Sequence, residues 1–343
     1  MVSEEQIQSL IKEKNFSEVL SELSNIEDMT ANLYRFRGDA KYNLSMYESA
    51  IDDYTRAIAL DKDNYKAYNN RANAEACLNF TNEALEDYNR AVEIKPDFSD
   101  AYFNKGIVNY NLQNIQEAIE DYTKAIETNE KNYQALNNRG NAFNLLGKFS
   151  LALEDFNSSL KIMEHPNTYF NRGLTKENLS DFNGAKEDYT KALEMQNDNT
   201  NILKKRALLN FQMNELEQAY DDYFKIFSID NSDIDALLGL GNIKNRKNDN
   251  IEAINYFTKA CNVDENCEVA YMSRAISASR IKDYPMLVAD LEKLFNLNAD
   301  KKTYMIALNS ILENINNIKN KNDDDIKYEN IIKDYIDKLE NKN

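Results

Sequence analysis

Rings and small residues alternate along this chain with a fixed period. Tyr34, Tyr68, Tyr102, Leu136, Tyr169, Leu203, Leu237 and Tyr271 are each followed four residues later by a small one: Gly38, Ala72, Gly106, Gly140, Gly173, Ala207, Gly241 and Ala275. Twelve residues after the small one stand Ala50, Ala84, Ala118, Ala152, Ala185, Ala219 and Ala253, with Leu287 in the eighth copy. Sixteen after it comes another ring, at Tyr54, Tyr88, Tyr122, Phe156, Tyr189, Tyr223 and Phe257. The period is 34 residues, shortened once to 33. Steps of four keep each set on one helical face, and small residues at a crossing let two helices approach while the rings fill the space beside them. Each period therefore predicts two amphipathic helices of about a dozen residues. A repeat of this length means stacked supersecondary units in place of one globular core.

This arrangement of ring, glycine, tyrosine, alanine, ring and alanine resembles the tetratricopeptide repeat. The likeness covers eight consecutive units: 31-64, 65-98, 99-132, 133-165, 166-199, 200-233, 234-267 and 268-300. The family's late proline survives only as Pro96, and the leucine before the glycine is mostly replaced by a base. The resemblance implies an all-α, right-handed superhelical solenoid of antiparallel helix pairs whose first helices line a concave groove. Residues 1-30 read as a degenerate N-terminal helix pair that caps the array, with Phe16, Val19, Leu20 and Leu23 on one face. Residues 301-343 read as a degenerate repeat followed by an amphipathic helix. That last helix places Tyr328, Ile331, Ile332, Tyr335, Ile336 and Leu339 on one stripe, which needs a cover. Either it caps the last repeat or it is a docking or dimerisation helix. No linker rich in Gly, Pro or Ser interrupts the chain, so one continuous domain is expected.

The base before the small residue has a counterpart. Arg37, Arg71, Lys105, Arg139, Arg172, Arg206 and Arg274 stand sixteen residues before Asp53, Asp87, Asp121, Asp155, Asp188, Asp222 and Asp290. The remaining copy carries Leu240 and Tyr256, so both members are lost together, which argues that they touch. Acid-to-base spacings of four on the second helices, such as Glu86 to Arg90 and Asp221 to Lys225, predict solvated pairs within each helix.

The net charge of -17 disfavours unspecific attraction to nucleic acid or to an anionic membrane. No apolar run is long enough to span a bilayer, and the first residues lack the basic and hydrophobic stretches of a signal peptide, so a cytoplasmic protein is expected. Cys77, Cys261 and Cys267 have no metal or disulfide spacing, although Cys77 falls on a groove position. The one histidine, His165, lies in a loop before Pro166. No phosphate-cradling glycine loop and no convergent carboxylates appear, so neither an enzyme nor a cofactor is expected.

In the resembled family, ligands meet the second, fifth, sixth, ninth, twelfth and thirteenth residues of each repeat. From the second to the fifth repeat these positions are rich in asparagine, including Asn70, Asn73, Asn104, Asn138, Asn141 and Asn171. Asn70, Asn104, Asn138 and Asn171 repeat the same sixth position. A carboxamide both donates and accepts, so such a ladder suits the backbone of an extended peptide. A clamp for a C-terminal carboxylate, known in the family's co-chaperones, is excluded because Asn69, Gln134 and Asn138 stand where its three bases should be. Further along, Lys204, Lys205, Arg246 and Arg280 fall on groove positions and predict a partner that is acidic at one end. The expected function is a non-enzymatic adaptor that binds an extended protein segment. The alternative is an assembly protein that associates with itself through its end helix or convex face.

Overall fold

A computed structural model describes residues 3–24, 26–297 and 300–340. Its described residues form twenty α-helices and no strand. The chain divides into two compact units, Met1–Asp181 and Phe182–Asn343. The divide falls inside the fifth repeat. In a repeat array each unit touches only its neighbours, so contacts thin out at every junction.

The first unit holds α1 (Glu4–Lys12), α2 (Phe16–Leu23), α3 (Ala31–Asn43), α4 (Tyr47–Leu60), α5 (Tyr65–Cys77), α6 (Thr81–Ile94), α7 (Ser99–Asn111), α8 (Ile115–Thr128), α9 (Tyr133–Leu145), α10 (Phe149–Ile162) and α11 (Pro166–Asn178). The second holds α12 (Phe182–Met195), α13 (Thr200–Gln212), α14 (Leu216–Ile229), α15 (Ile234–Arg246), α16 (Asn250–Val263), α17 (Glu268–Ile281), α18 (Tyr284–Asn296), α19 (Lys301–Asn316) and α20 (Asp323–Glu340). Within each unit, consecutive helices pack on one another as in a helical solenoid. The first helices of neighbouring repeats also meet, α3 with α5, α5 with α7, α7 with α9, and α9 with α11.

The ring-and-small code is a packing code. Ala50, Ala84, Ala118, Ala152, Ala185, Ala219 and Ala253 have no exposed surface, and Tyr54, Tyr88, Tyr122, Phe156 and Phe257 are buried. A Cβ added to Gly38, Gly106, Gly140 or Gly241 would meet the ring sixteen residues on at 2.4 to 2.8 Å. At these four positions the ring rests on the glycine backbone, and a Cβ would have to push it aside.

The turn between the paired helices is equally regular. Ser45, Asn79, Gln113, Gly147, Ser180, Asn214, Asn248 and Lys282 have left-handed backbone. In each the amide bonds the carbonyl three residues back, and the next amide reaches five back, as in Ser45 to Tyr42 and Met46 to Lys41, both 2.9 Å. That double bond satisfies carbonyls left over at the helix end.

Six of the seven expected base–acid pairs are present, at 2.6 to 3.0 Å. The seventh, Arg172 with Asp188, straddles the two units. The six carboxylates are buried. Arg37, Arg71, Arg139, Arg206 and Arg274 each grip their aspartate with two nitrogens. The same guanidinium reaches back to the preceding repeat, where Arg71 donates to Thr55, Arg139 to Thr123, Arg206 to Thr190 and Arg274 to Thr258 at 3.0 to 3.1 Å. The base therefore ties two repeats together.

The pairs expected four apart on the second helices are not the ones formed. Arg90, Lys124 and Lys191 turn forward to Glu93, Glu127 and Glu194, three residues on, and Lys225 turns away to Asp198 at 3.1 Å. Residues three and four apart are both helical neighbours, and either spacing contributes only a few tenths of a kcal/mol, so the two compete closely.

Both ends are covered by their own chain. Ile7, Val19 and Leu23 of α1 and α2 pack with Leu33 and Phe36 of α3. At the other end Ile332 and Leu339 of α20 join Tyr284, Leu287, Tyr304 and Ile311, with Tyr328, Tyr335 and Ile336 packed against them. Asp325, wholly buried, accepts hydrogen bonds from the Tyr284 hydroxyl and from Lys282. Ile332 and Leu339 of the α20 stripe are thus buried, while Tyr328, Ile331, Tyr335 and Ile336 are half-buried.

Candidate functional site

The asparagines expected to face a ligand lie half-buried on the first helices of the first unit, and they bond one another. Asn104 donates to Asn69 at 3.2 Å, Asn69 to Asn70 at 2.9 Å, and Asn70 to Asp39 at 2.7 Å. Likewise Asn171 donates to Asn137 at 3.3 Å and Asn137 to Asn138 at 3.2 Å. The fifth and sixth positions of successive repeats thus form a chain of amides that runs across α5 and α7 and across α9 and α11. Asp39 ends the first chain. It also accepts from the Tyr54 hydroxyl at 3.0 Å and from Arg35 at 2.9 Å. Burial pushes its carboxyl above the usual range, and Arg35 opposes the shift. Asn141 is half-buried on α9.

These bonds change what the ladder offers. A carboxamide carries two donors and two acceptor sites, so a side chain held by one end keeps the other wholly available. The Asn73 oxygen accepts from the Tyr88 hydroxyl at 2.6 Å, which leaves its NH2 to donate. Asn104 uses its NH2 on Asn69, which leaves its oxygen to accept.

Asn73 and Asn104 share a cleft of about 400 Å³ with Asn111. Ala76, Ile107, Val108 and Leu112 give it an apolar lining, and Tyr42, Cys77, Asn79, Thr81 and Tyr88 complete the wall. No lining residue carries a formal charge. Cys77 is exposed there, with its sulfur 3.7 Å from the Tyr42 hydroxyl. Asn73, Asn104, Asn111 and Cys77 fall on groove positions that the repeat marks, whereas the rest of the cleft left little sign in the sequence. Ala76 and Ile107 sit at groove positions but Val108 and Leu112 do not, and nothing in the period shows that neighbouring helices leave space between them.

Beside the cleft, α5 buries Glu75. The position that carries Lys41 and Asn109 in the flanking repeats, where each contacts the buried aspartate, here holds a second acid. Its Oε1 stands 3.8 Å from Arg71, which is already gripped by Asp87, and its Oε2 has no partner. Burial, reinforced by Asp87, pushes the Glu75 carboxyl up from 4.5 to about 7. A carboxyl with a raised folded-state value stabilises the fold below its unfolded value of about 4.5, and loses that contribution as the pH climbs through 7. Glu75→Gln is therefore expected to raise stability by about 1–3 kcal/mol at pH 8 and to change it little at pH 4. Urea melts at the two pH values would show this, and an equal effect at both would refute it.

The basic set lies on α13, α15 and α17 of the second unit, and only part of it is available. Lys204 is held by Asp233 and Asp235, each at 2.8 Å, so its charge is compensated. Asp233 caps α15 and so brings its carboxylate to the spot. Arg246 lies over the Phe211 ring at 4.4 Å and donates to Asn214 at 3.3 Å. Lys205 and Arg280 are exposed.

Among the described residues no cluster of His, Cys, Asp or Glu could hold a metal ion, and no helix is long and apolar enough to cross a membrane. His165 caps α11, its ring accepting from the Asn167 amide at 3.3 Å. Cys261 is buried, which pushes its thiol up to about 11.

Family models described as tetratricopeptide repeat match residues 99–132, 166–199 and 234–267, and one described as TPR repeat matches 79–113. No curated protein matches the sequence. Among solved structures, the C-terminal part of a TPR repeat-containing protein from Cytophaga hutchinsonii is 19% identical; the match covers 69% of this chain and 99% of that one, with a TM-score of 0.56. PilW, a type IV pilus biogenesis factor, is 21% identical over 58% of this chain and 92% of its own, with a TM-score of 0.53. YrrB, described as a TPR protein with an unusual peptide-binding site, is 19% identical over 54% of this chain and 96% of its own, with a TM-score of 0.50. At these identities the likeness is one of fold.

Proposed function

Because the chain is a tetratricopeptide repeat protein, we propose that it is a non-enzymatic adaptor that binds an extended segment of a partner protein, centred on the cleft of the first unit. The observation that carries this reading is the cleft's chemistry. It is uncharged, about 400 Å³ in volume, apolar on one side, and supplied with a free donor at Asn73 and a free acceptor at Asn104. One donor and one acceptor match the carbonyl and amide of a peptide backbone, and the apolar wall suits a side chain between them. The fixed amide chain means that little side-chain freedom is lost on binding. In the second unit, Lys205 and Arg280 remain for a carboxylate of the partner.

Affinity capture with the full chain, followed by calorimetry on the mapped segment, tests the reading. Replacing Asn73 and Asn104 together by Ala is expected to cost about 0.5–1.5 kcal/mol per lost hydrogen bond, so affinity falls by about tenfold or more. Ile107→Glu, which brings a charge to the apolar wall, is expected to weaken binding further while helicity is kept. A partner that binds both variants as tightly as the parent chain would refute the cleft.

A further inference from the structure

One junction abandons the polar bridge altogether. Seventeen residues after the small residue stand Thr55, Asn89, Thr123, Asn157, Thr190 and Thr258, and four of these threonines accept from the next repeat's arginine. Between the sixth and seventh repeats all three members change at once, threonine to Phe224, arginine to Leu240 and aspartate to Tyr256. Leu240 and Tyr256 are buried, so repacking accounts for them. It does not account for Phe224, which is 45% exposed. The part of the ring left in water gains nothing for the fold by burial.

Phe224 instead extends a cluster on the second helices. It stacks on Tyr220 with centroids 5.8 Å apart, lies 6.2 Å from Phe227, and Phe227 meets Tyr256 edge-on at 6.3 Å. Of the charges beside these rings, Lys244 and Lys247, 5.5 and 5.7 Å from the Tyr220 ring, are paired with Asp249 and Glu217, and among the described residues two others stand unpaired. Asp221 precedes Phe224 by less than a turn of α14, and Lys259 of α16 lies 5.2 Å from the Phe227 ring and 5.3 Å from that of Tyr256. Neither makes an ion pair among the described residues, because Lys225, the natural partner of Asp221, has turned to Asp198.

We propose that this face is a contact between two copies of the chain, related by a two-fold axis at Phe224. An isologous contact needs a patch complementary to itself, and a patch with one free acid, one free base and a ring between them meets that need. The axis would bring Asp221 of each copy toward Lys259 of the other. A strongly acidic partner would leave Asp221 unmatched, and a strongly basic one would leave Lys259 unmatched. The contact is small, and a net charge of -17 on each copy opposes it, so a weak dimer follows. The inference is independent of the cleft.

Sedimentation equilibrium of the full chain at about 100 µM, where small interfaces are populated, tests it. The mass is expected to rise from 39.7 kDa toward twice that value. Phe224→Thr, which restores the residue of most other repeats, is expected to raise the dimer dissociation constant at least tenfold without lowering the melting temperature. Lys259→Asp should do the same, and Asp221→Lys combined with Lys259→Asp should restore dimerisation. A parent chain that stays monomeric would assign the patch to a different protein and overturn the proposal. So would a Phe224→Thr variant that dimerises as tightly as the parent, or a charge exchange that fails to restore the contact.

Discussion

Phe156→Ala is expected to lower stability by about 3–5 kcal/mol, the cost of truncating a wholly buried ring. Phe156 has no exposed surface, and it lies where a Cβ on Gly140 would come within 2.8 Å of its ring. The space it leaves is bounded by two helix backbones, and backbones held by small residues collapse poorly. Gly140→Ala tests the same contact from the other side. It adds one methyl group against the ring and is expected to cost about 1–3 kcal/mol by overpacking. Combining the two should recover part of the loss, because the methyl then occupies space the ring has vacated. Urea denaturation of the four proteins would show it. Strict additivity would mean that the ring and the glycine do not share a contact.

Arg139→Ala is expected to be equally severe, at about 3–5 kcal/mol, because it strands a buried carboxylate. Asp155 is 5% exposed and receives two nitrogens of Arg139 at 2.7 and 2.8 Å. Asp155→Ala removes the stranded charge, so the double variant should be much less damaged than the sum of the two. A coupling of about 0.5–3 kcal/mol is expected for this pair, and none for Arg139 with Asp87 two repeats away. Equal coupling in both cycles would sink the assignment.

The array was legible because packing leaves a strict mark. At Gly106, Ala118 and Tyr122 the choice of residue is dictated by the distance between two backbones, and that distance recurs. The Arg139–Asp155 contact was legible for a different reason, the joint loss of both members at Leu240 and Tyr256. Thr123 escaped notice although it recurs too, since its bond crosses from one repeat to the next and alternates with asparagine. The ligand-facing asparagines could be placed but their bonds could not. A carboxamide serves every neighbour alike, so sequence cannot tell that Asn104 spends its NH2 on Asn69. Lys204 was misleading for the same reason. Two aspartates neutralise it, Asp235 on α15 and Asp233, the cap of that helix, 29 residues away.

The hairpin that joins the paired helices is written in backbone bonds, and five residue types fill its left-handed position. Mutational drift at that corner therefore changes its stability without changing its length. The loop between repeats is the more permissive joint, and the shortened period falls there, where three residues separate α10 from α11 instead of the four that separate α4 from α5. An array with one rigid joint and one pliant joint per unit accommodates small losses at the pliant one and otherwise grows or shrinks by whole units. Its reach along a partner is then quantised, and lineages of such a chain would differ in the number of copies more readily than in the shape of any copy.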